Sequence, residues 1–177
     1  GNAGGEIASG TAVTALLEYV ARAAGCFQHF DTDAEQEFLG DLEQAVKDAH
    51  QRVRALANGR TPPATTLTMV VCVGARGYLV HVGDSRAMYL NGGRLRTLTR
   101  DQTMAEAMVD AGALTEEQAK RSSLGNQLYS ALGGEEIVPS VGLVDLAPGD
   151  VLVLCSDGLT KHVSDERIAE VLGVPGS

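Results

Sequence analysis

Two short stretches of the sequence place an aspartate at the end of an apolar run. They are His81-Val-Gly-Asp-Ser-Arg86 and Leu154-Cys-Ser-Asp-Gly-Leu159. A carboxylate at the edge of a buried strand costs free energy unless a cation receives it. We therefore expect Asp84 and Asp157 to converge on a hard metal ion, which prefers oxygen ligands.

Each aspartate also has a purely local interpretation. Asp84 lies between Gly83 and Ser85, and an aspartate in such a turn often hydrogen-bonds its own backbone. Asp157 precedes Gly158 and fits a turn position equally well. On the residues alone, both interpretations stay open.

Composition narrows the class of protein. The 177 residues suffice for one domain with a sizeable core, and 44% of them are hydrophobic. The formal net charge of −9 disfavours nucleic acid or an anionic membrane as the main partner. No run approaches the roughly 20 apolar residues of a membrane span, and no signal peptide is visible. We expect a cytoplasmic protein without a membrane span.

The cysteines favour the same compartment. Cys26, Cys72 and Cys155 are odd in number and lack the spacing of a metal site, and the last two lie inside apolar runs. We therefore expect buried free thiols in a reducing environment.

Two amphipathic helices are expected first. Apolar residues recur at helical spacing over the first 24 residues, and Gly25 is a plausible stop. A second apolar stripe runs over residues 38–56, after the capping-box pattern Thr32-Asp-Ala-Glu35 and before Asn58-Gly59. Both helices expose charge on one side only, so both should lie against a sheet.

After Pro62-Pro63 the pattern changes to β-type runs separated by turns. Three hairpins are expected, which pair residues 65–73 with 78–82, 86–90 with 94–98, and 141–146 with 151–155. Successive hairpins indicate a largely antiparallel sheet. Residues 103–123 are predicted to be a polar helical excursion with the capping pattern Thr115-Glu-Glu-Gln118, and residues 164–172 a short capped helix.

Six motifs follow one another in an order typical of one family. They are Gly1-Asn-Ala-Gly-Gly-Glu-Ile-Ala-Ser9, Ala64-Thr-Thr-Leu67, Val82-Gly-Asp-Ser-Arg86, Leu98-Thr-Arg-Asp-Gln-Thr103, Ala131-Leu-Gly133 and Pro148-Gly-Asp-Val-Leu-Val-Leu-Cys-Ser-Asp-Gly-Leu-Thr160. In this order they resemble the metal-dependent protein serine/threonine phosphatases of the 2C type (PPM family), in their bacterial form. The resemblance covers nearly the whole chain.

The resemblance implies a fold of the α+β class. It implies a four-layer α-β-β-α sandwich of two mainly antiparallel sheets flanked by helices, with a metal centre at one end. It also implies that residues 1–177 belong to a single, truncated phosphatase domain, in which residues 103–123 are the flap segment.

The family's reaction explains why aspartates matter. Hydrolysis of a phosphomonoester requires a neutralised dianion and a hydroxide near neutral pH, and a pair of Mn²⁺ or Mg²⁺ ions provides both. The resemblance implies that Asp157 is a direct ligand of this dinuclear centre and that Asp84 lies near a third, weaker metal site. Ser85 and Arg86 would orient the turn. No side chain is assigned a catalytic role.

The chain departs from the family pattern at both ends and at Lys161. The Asp-Gly motif expected before Gly1 and the final Asp-Asn motif are absent, which leaves Asp157 as one of three expected aspartates. A single carboxylate holds Mg²⁺ poorly, so we expect this chain by itself to be inactive, with exposed sheet edges that permit self-association. Lys161 stands where many relatives have an acidic residue, which weakens the third site.

The leading functional interpretation is hydrolysis of phosphoserine and phosphothreonine in proteins that a cognate kinase has phosphorylated. The alternative is a non-catalytic regulatory or scaffold module, which the missing motifs and Lys161 favour. An anti-sigma-factor phosphatase is a third interpretation, in which residues 103–123 would contact the partner.

Overall fold

The computed structural model describes residues 4–24, 32–59 and 61–173. The helices in this part of the chain are α1 Gly5–Ala23, α2 Thr32–Arg54, α3 Met104–Asp110, α4 Glu116–Arg121, α5 Asp157–Thr160 and α6 Asp165–Leu172. The strands are β1 Leu67–Val73, β2 Arg76–Val82, β3 Arg86–Asn91, β4 Arg94–Thr97, β5 Ser140–Asp145 and β6 Val151–Cys155. Short 3-10 turns lie at Ala55–Ala57 and Ser123–Asn126.

The strands form two antiparallel sheets. The first has the order β1-β2-β5 and the second the order β4-β3-β6. β1 and β2 form the first predicted hairpin, in which Leu67 is opposite Val82. β3 and β4 form the second, in which Asn91 is opposite Arg94. Both of these predictions are confirmed.

Helices cover the outer faces of the two sheets. α1 packs along α2, and α2 contacts β2 and β5 of the first sheet. α6 contacts β4 of the second sheet, and β1 contacts β3 between the sheets. The layers therefore run helix, sheet, sheet, helix, which confirms the predicted α+β sandwich.

The main hydrophobic core lies between the helix pair and the first sheet. Leu42, Val46 and Val53 on one stripe of α2 are fully buried, and they belong to the same core as the fully buried Val80 and Val82 of β2. Burying one such side chain contributes about 1.5–3 kcal/mol. The 3.6-residue period of α2 and the two-residue period of β2 thus meet in one interface, as the amphipathic pattern predicts.

Tyr78 fixes how α2 lies on β2. Its ring packs edge-on against Phe38 with centroids 5.1 Å apart, and its hydroxyl donates to Glu35 Oε1 at 2.9 Å. Burial, together with this carboxylate, raises the pKa of Tyr78 to about 12, so the hydroxyl keeps its proton. Glu35 belongs to the predicted capping box, whose other member, the Thr32 side chain, lies outside the described residues, as does Gly25.

The predicted hairpin of residues 141–146 with 151–155 is wrong. β5 pairs with β2 in the first sheet, and β6 pairs with β3 in the second, so the turn at Pro148-Gly149 carries the chain from one sheet to the other. Short apolar runs around a turn have the same sequence pattern whether the chain folds back in one sheet or crosses to another. The packing of the two sheets decides between them.

The predicted burial of the thiols is also wrong. Cys72 is exposed and Cys155 is half-buried, and both are free. Cys72 is opposite Gly77 next to the β1–β2 turn, and strand alternation puts it on the sheet face away from α1 and α2. Cys26 lies outside the described residues.

The end and cap signals are confirmed where the structure describes them. Asn58 adopts the left-handed conformation with φ 43° after the 3-10 turn that follows α2. Thr115 and Gln118 make a reciprocal capping box at α4, and the Ser164 hydroxyl accepts from the Arg167 amide at α6. The predicted helical excursion is the pair α3 and α4.

Candidate metal centre

Asp84 and Asp157 lie at the same end of the second sheet. In the antiparallel pairing of β3 with β6, Arg86 is opposite Cys155. Asp84 precedes Arg86 by two residues and Asp157 follows Cys155 by two. Continuing this register beyond the strands brings both aspartates to one rim.

The environment of Asp84 is partly desolvated and negatively charged. Burial raises the pKa of its carboxyl, and the charges of Asp157 and Asp101 raise it further, while Lys161 acts in the opposite direction. Like charges and desolvation both disfavour the ionised form. An added cation at this rim would relieve both penalties.

Close backbone contact shapes the loop that carries Asp84. Gly83 has φ 110°, and a Cβ there would lie 2.4 Å from Thr66 Cγ2. Only glycine fits, because the conformation and the space both exclude a side chain. The Thr66 and Ser85 hydroxyls are 2.9 Å apart and hydrogen-bonded, which links the start of β1 to the same loop.

Gln102 anchors this loop from a second segment. The Gly83 backbone amide donates to Gln102 Oε1 at 2.9 Å. The Gln102 backbone amide donates in turn to the Gly83 carbonyl at 2.7 Å. Gln102 Nε2 donates to the Val138 carbonyl at 2.8 Å. Gln102 is 5% exposed, so each of its bonds satisfies a polar group that water cannot reach.

Arg86 is held by a carboxylate of that same segment. Its Nε and Nη2 donate to the two oxygens of Asp101, both at 2.8 Å. This bidentate pair raises the pKa of the guanidinium and fixes its plane. Arg86 therefore positions the loop, in agreement with the structural role expected from the sequence.

The buried histidines are structural. His81 Nε2 is 3.1 Å from the Arg100 carbonyl, and its Nδ1 is 3.0 Å from Thr68 Oγ1. His50 Nδ1 accepts from the Gly133 amide at 3.1 Å. Burial lowers the pKa of both rings, so both are neutral near pH 7.

Asp157 is held differently from Asp84. It begins α5, its side chain is 43% exposed, and Lys161 Nζ donates to its Oδ2 at 2.5 Å. The same ammonium donates to Asn126 Oδ1 at 2.9 Å. The Lys161 ammonium lowers the pKa of Asp157, and Asp157 raises that of Lys161. At neutral pH the rim thus carries an ion pair beside a second carboxylate.

The donors at this rim suit a hard cation, but they are few. Carboxylate oxygens are the ligands that Mg²⁺ and Mn²⁺ prefer. Within residues 4–24, 32–59 and 61–173, no three or more His, Cys, Asp or Glu side chains cluster as a metal site. Asp84 and Asp157 therefore fit part of a metal-binding site.

Three residues at this site make contacts that the sequence motifs do not predict. Asp101 and Gln102 lie in the motif Leu98-Thr-Arg-Asp-Gln-Thr103, which was singled out without a role for either residue. Asn126 gives no sequence signal, because only tertiary contact brings it to Lys161.

Comparison with known proteins now gives the family. The family model described as protein phosphatase 2C matches residues 2–173. The chain is 35% identical to the serine/threonine protein phosphatase PstP of Mycobacterium tuberculosis over 99% of its length, and it spans 33% of the length of that relative.

Solved structures agree with the sequence match. The crystal structure of the M. tuberculosis phosphatase PstP/Ppp is 34% identical, with a TM-score of 0.81 over 99% of this chain and 72% of that chain. A structure of the catalytic domain of PstP in complex with two manganese ions is also 34% identical, with a TM-score of 0.77 over 99% of this chain and 70% of that chain.

The fold, the rim aspartates and the motif order thus define a phosphatase-type α-β-β-α sandwich. The chain belongs to the protein phosphatase 2C family, which confirms the resemblance inferred from its motifs.

Proposed function

We propose that this chain is the metal-binding part of a protein phosphatase domain that hydrolyses phosphoserine and phosphothreonine in proteins. Asp157 and Asp84 are expected to hold Mn²⁺ or Mg²⁺, with two ions in the main centre and Asp84 near a third, weaker site. The observation that carries the proposal is the shared rim of Asp84 and Asp157 in a chain of this family.

The described residues have separate tasks in this proposal. Bound Mn²⁺ or Mg²⁺ supplies a water of lowered pKa and neutralises phosphate oxygens. Asp157 is the accessible ligand, since its side chain is 43% exposed. Asp84 is the positioned ligand, on a loop that Gln102 and the Arg86–Asp101 pair hold in place. Arg86 is committed to Asp101 and is not expected to bind phosphate.

The substrate class follows from the relatives. PstP is named a serine/threonine protein phosphatase, and the metal in its complex is manganese. We therefore expect phosphorylated proteins as substrates and a cognate kinase as the functional counterpart, in the cytoplasm. No helix in the described part of the chain is long and apolar enough to cross a membrane. We expect residues 1–177 to lie in one domain, with residues 103–123 as its flap segment.

The 177-residue chain by itself is expected to be inactive. Mg²⁺ keeps its water unless several charges compensate, and in the described residues the rim offers Asp84 and Asp157, the latter paired with Lys161. The chain also spans about 70% of the solved domains that it matches.

The test measures Mn²⁺-dependent hydrolysis of p-nitrophenyl phosphate and of a phosphothreonine peptide. The full-length gene product and the 177-residue chain are assayed side by side, with Asp157→Ala as the test variant and the α2 surface variant Asp41→Ala as the matched control. We expect activity in the full-length protein that Asp157→Ala abolishes and Asp41→Ala retains. Equal activity in the full-length protein, in Asp157→Ala and in Asp41→Ala contradicts the role of Asp157.

The Lys161–Asp157 pair favours one other function, that of a non-catalytic regulatory or scaffold module. An ammonium that already neutralises Asp157 makes a metal ion unnecessary for the fold. If the protein is a scaffold, the full-length chain should neither hydrolyse phosphate esters nor bind Mn²⁺. If it is an enzyme, the full-length chain should do both.

A further inference from the structure

Lys161 connects two segments that are far apart in the sequence. Its Nζ lies 2.5 Å from Asp157 Oδ2 at the start of α5 and 2.9 Å from Asn126 Oδ1. Asn126 ends the 3-10 turn Ser123–Asn126, which follows α4 directly; we call it the flap turn. The Lys161 ammonium therefore links the flap turn to Asp157 at the rim of the second sheet.

The other bonds of the flap turn are local. The Leu124 amide donates to Ser122 Oγ, the Gly125 amide to the Ser122 carbonyl, and the Gln127 amide to the Leu124 carbonyl. After the turn, the Met104 amide of α3 donates to the Gln127 carbonyl, and the Tyr129 amide donates to the Gln102 carbonyl outside the flap segment. The Lys161–Asn126 bond is therefore a direct side-chain link from the flap turn to α5.

Lys161 also has the charge and position of a bound cation. It lies among three carboxylates, with Asp157 in contact and Asp84 and Asp101 near enough for their charges to act on it. A divalent ion bound by Asp157 would attract the same oxygens and repel the ammonium. Asp157 Oδ2 cannot bind a metal ion and keep its full ion-pair attraction to Lys161 at the same time, because the two cations repel each other.

We propose that Lys161 is a built-in cation that competes with a divalent metal ion for Asp157 and thereby couples metal binding to release of the flap turn. Without metal, Lys161 joins Asp157 to Asn126 and the flap turn is held. With metal, Lys161 leaves Asp157, and its bond to Asn126 is lost with it. The coupling is reciprocal, so a variant without the ammonium binds metal more tightly. This inference rests on the proposed metal role of Asp157.

The test combines two measurements on Lys161→Met in the full-length gene product, which is the parent protein here. This substitution keeps the apolar stem and removes the charge. Hydrogen–deuterium exchange at residues 122–127 reports the link in the metal-free protein, and isothermal titration calorimetry reports Mn²⁺ affinity. We expect exchange to rise at least about fivefold and Mn²⁺ to bind about tenfold more tightly, within the usual range of coupling between sites. Lys120→Met, on the exposed surface of α4, is the matched control and should change neither.

Asn126→Ala separates the two halves of the inference. It removes the link but leaves the ammonium on Asp157, so exchange should rise about fivefold in the metal-free protein. By the same reciprocity Mn²⁺ should bind more tightly by no more than that factor, and less tightly than in Lys161→Met. In the parent protein Mn²⁺ should raise exchange at residues 122–127, and in Asn126→Ala it should not.

Two results overturn the inference. If Lys161→Met and the parent protein show equal exchange without metal, the proposed link is contradicted, whether or not metal binds. If Lys161→Met binds Mn²⁺ no more tightly than the parent protein, the proposed competition is contradicted. Equal Mn²⁺ binding by Asp157→Ala and the parent protein instead contradicts the proposed metal site, so the two failures are distinguishable.

Discussion

Asp84 and Asp157 share one rim, but the two segments that carry them are anchored differently. The Asp84 loop is bonded to Thr66, Gln102 and Asp101, which lie on other elements. Asp157 begins a four-residue helix, and its side chain contacts the exposed ammonium of Lys161.

The difference shows that one site can combine a carboxylate in a fixed position with a carboxylate that can change its partner. Several buried or half-buried contacts hold the loop that carries Asp84, and desolvation and like charge raise the pKa of its carboxyl. A single exposed partner holds Asp157 and lowers its pKa. The first carboxylate is preorganised by the fold at a cost in stability, and the second can exchange its partner at little cost.

The largest expected effect is that of Gly83→Ala. The new Cβ would meet Thr66 Cγ2 at 2.4 Å with φ at 110°, so steric overlap and backbone strain should destabilise the protein by about 3 kcal/mol. Urea unfolding measures the change. The matched control is Gly92→Ala in the β3–β4 turn, where φ is 53° and nothing lies within 4 Å, and about 1 kcal/mol is expected. Equal costs at the two positions would refute the close contact.

Gln102→Leu should have the next largest effect. It leaves the buried Gly83 amide without its side-chain acceptor and also removes the half-buried bond to the Val138 carbonyl, which together should cost about 2 kcal/mol. Gln127→Leu, at an exposed position, should stay within about 0.5 kcal/mol. The free energy of unfolding decides, and similar values for both variants would mean that Gln102 does not anchor the loop.

Asp84→Asn should stabilise the metal-free protein by no more than about 1 kcal/mol near pH 7. It removes a disfavoured charge, but the carboxyl is only half-buried and solvent screens part of the penalty. The sign follows from the raised pKa. The folded protein binds the proton of Asp84 more tightly than the unfolded chain, so the parent protein loses stability as pH rises from the unfolded pKa through the folded one. The difference between Asp84→Asn and the parent protein should therefore grow from pH 4 to pH 7. A constant difference in unfolding experiments would speak against the raised pKa.

Asp157→Asn should have the smallest effect, and one of opposite sign. Its pKa is lowered by Lys161, so its stabilising contribution is present above the unfolded pKa and is lost as pH falls through the folded one. Because the pair is exposed, the variant should lose no more than about 0.5 kcal/mol at pH 7 in metal-free buffer. A loss above about 2 kcal/mol in thermal unfolding would contradict the conclusion that Asp157 depends on a single exposed partner.

Local patterns were enough to predict the elements and the family. The apolar stripe of α2, the alternation of β1 and β2, and the caps at Thr115 and Ser164 depend on neighbours within a few residues. Their physical causes are helix and strand periodicity and the amide donors of a helix start. The order of the motifs then gave the fold class and the two rim aspartates.

Only the tertiary structure decided how distant segments meet. β5 and β6 join different sheets, Asp101 becomes the partner of Arg86, and Lys161 reaches Asn126. Periodicity shows which face of a strand is apolar, but not which strand lies beside it, because that choice depends on the packing of the whole sandwich. The charges around Asp84 and Asp157 follow from that packing, and so does the different anchoring of these two residues.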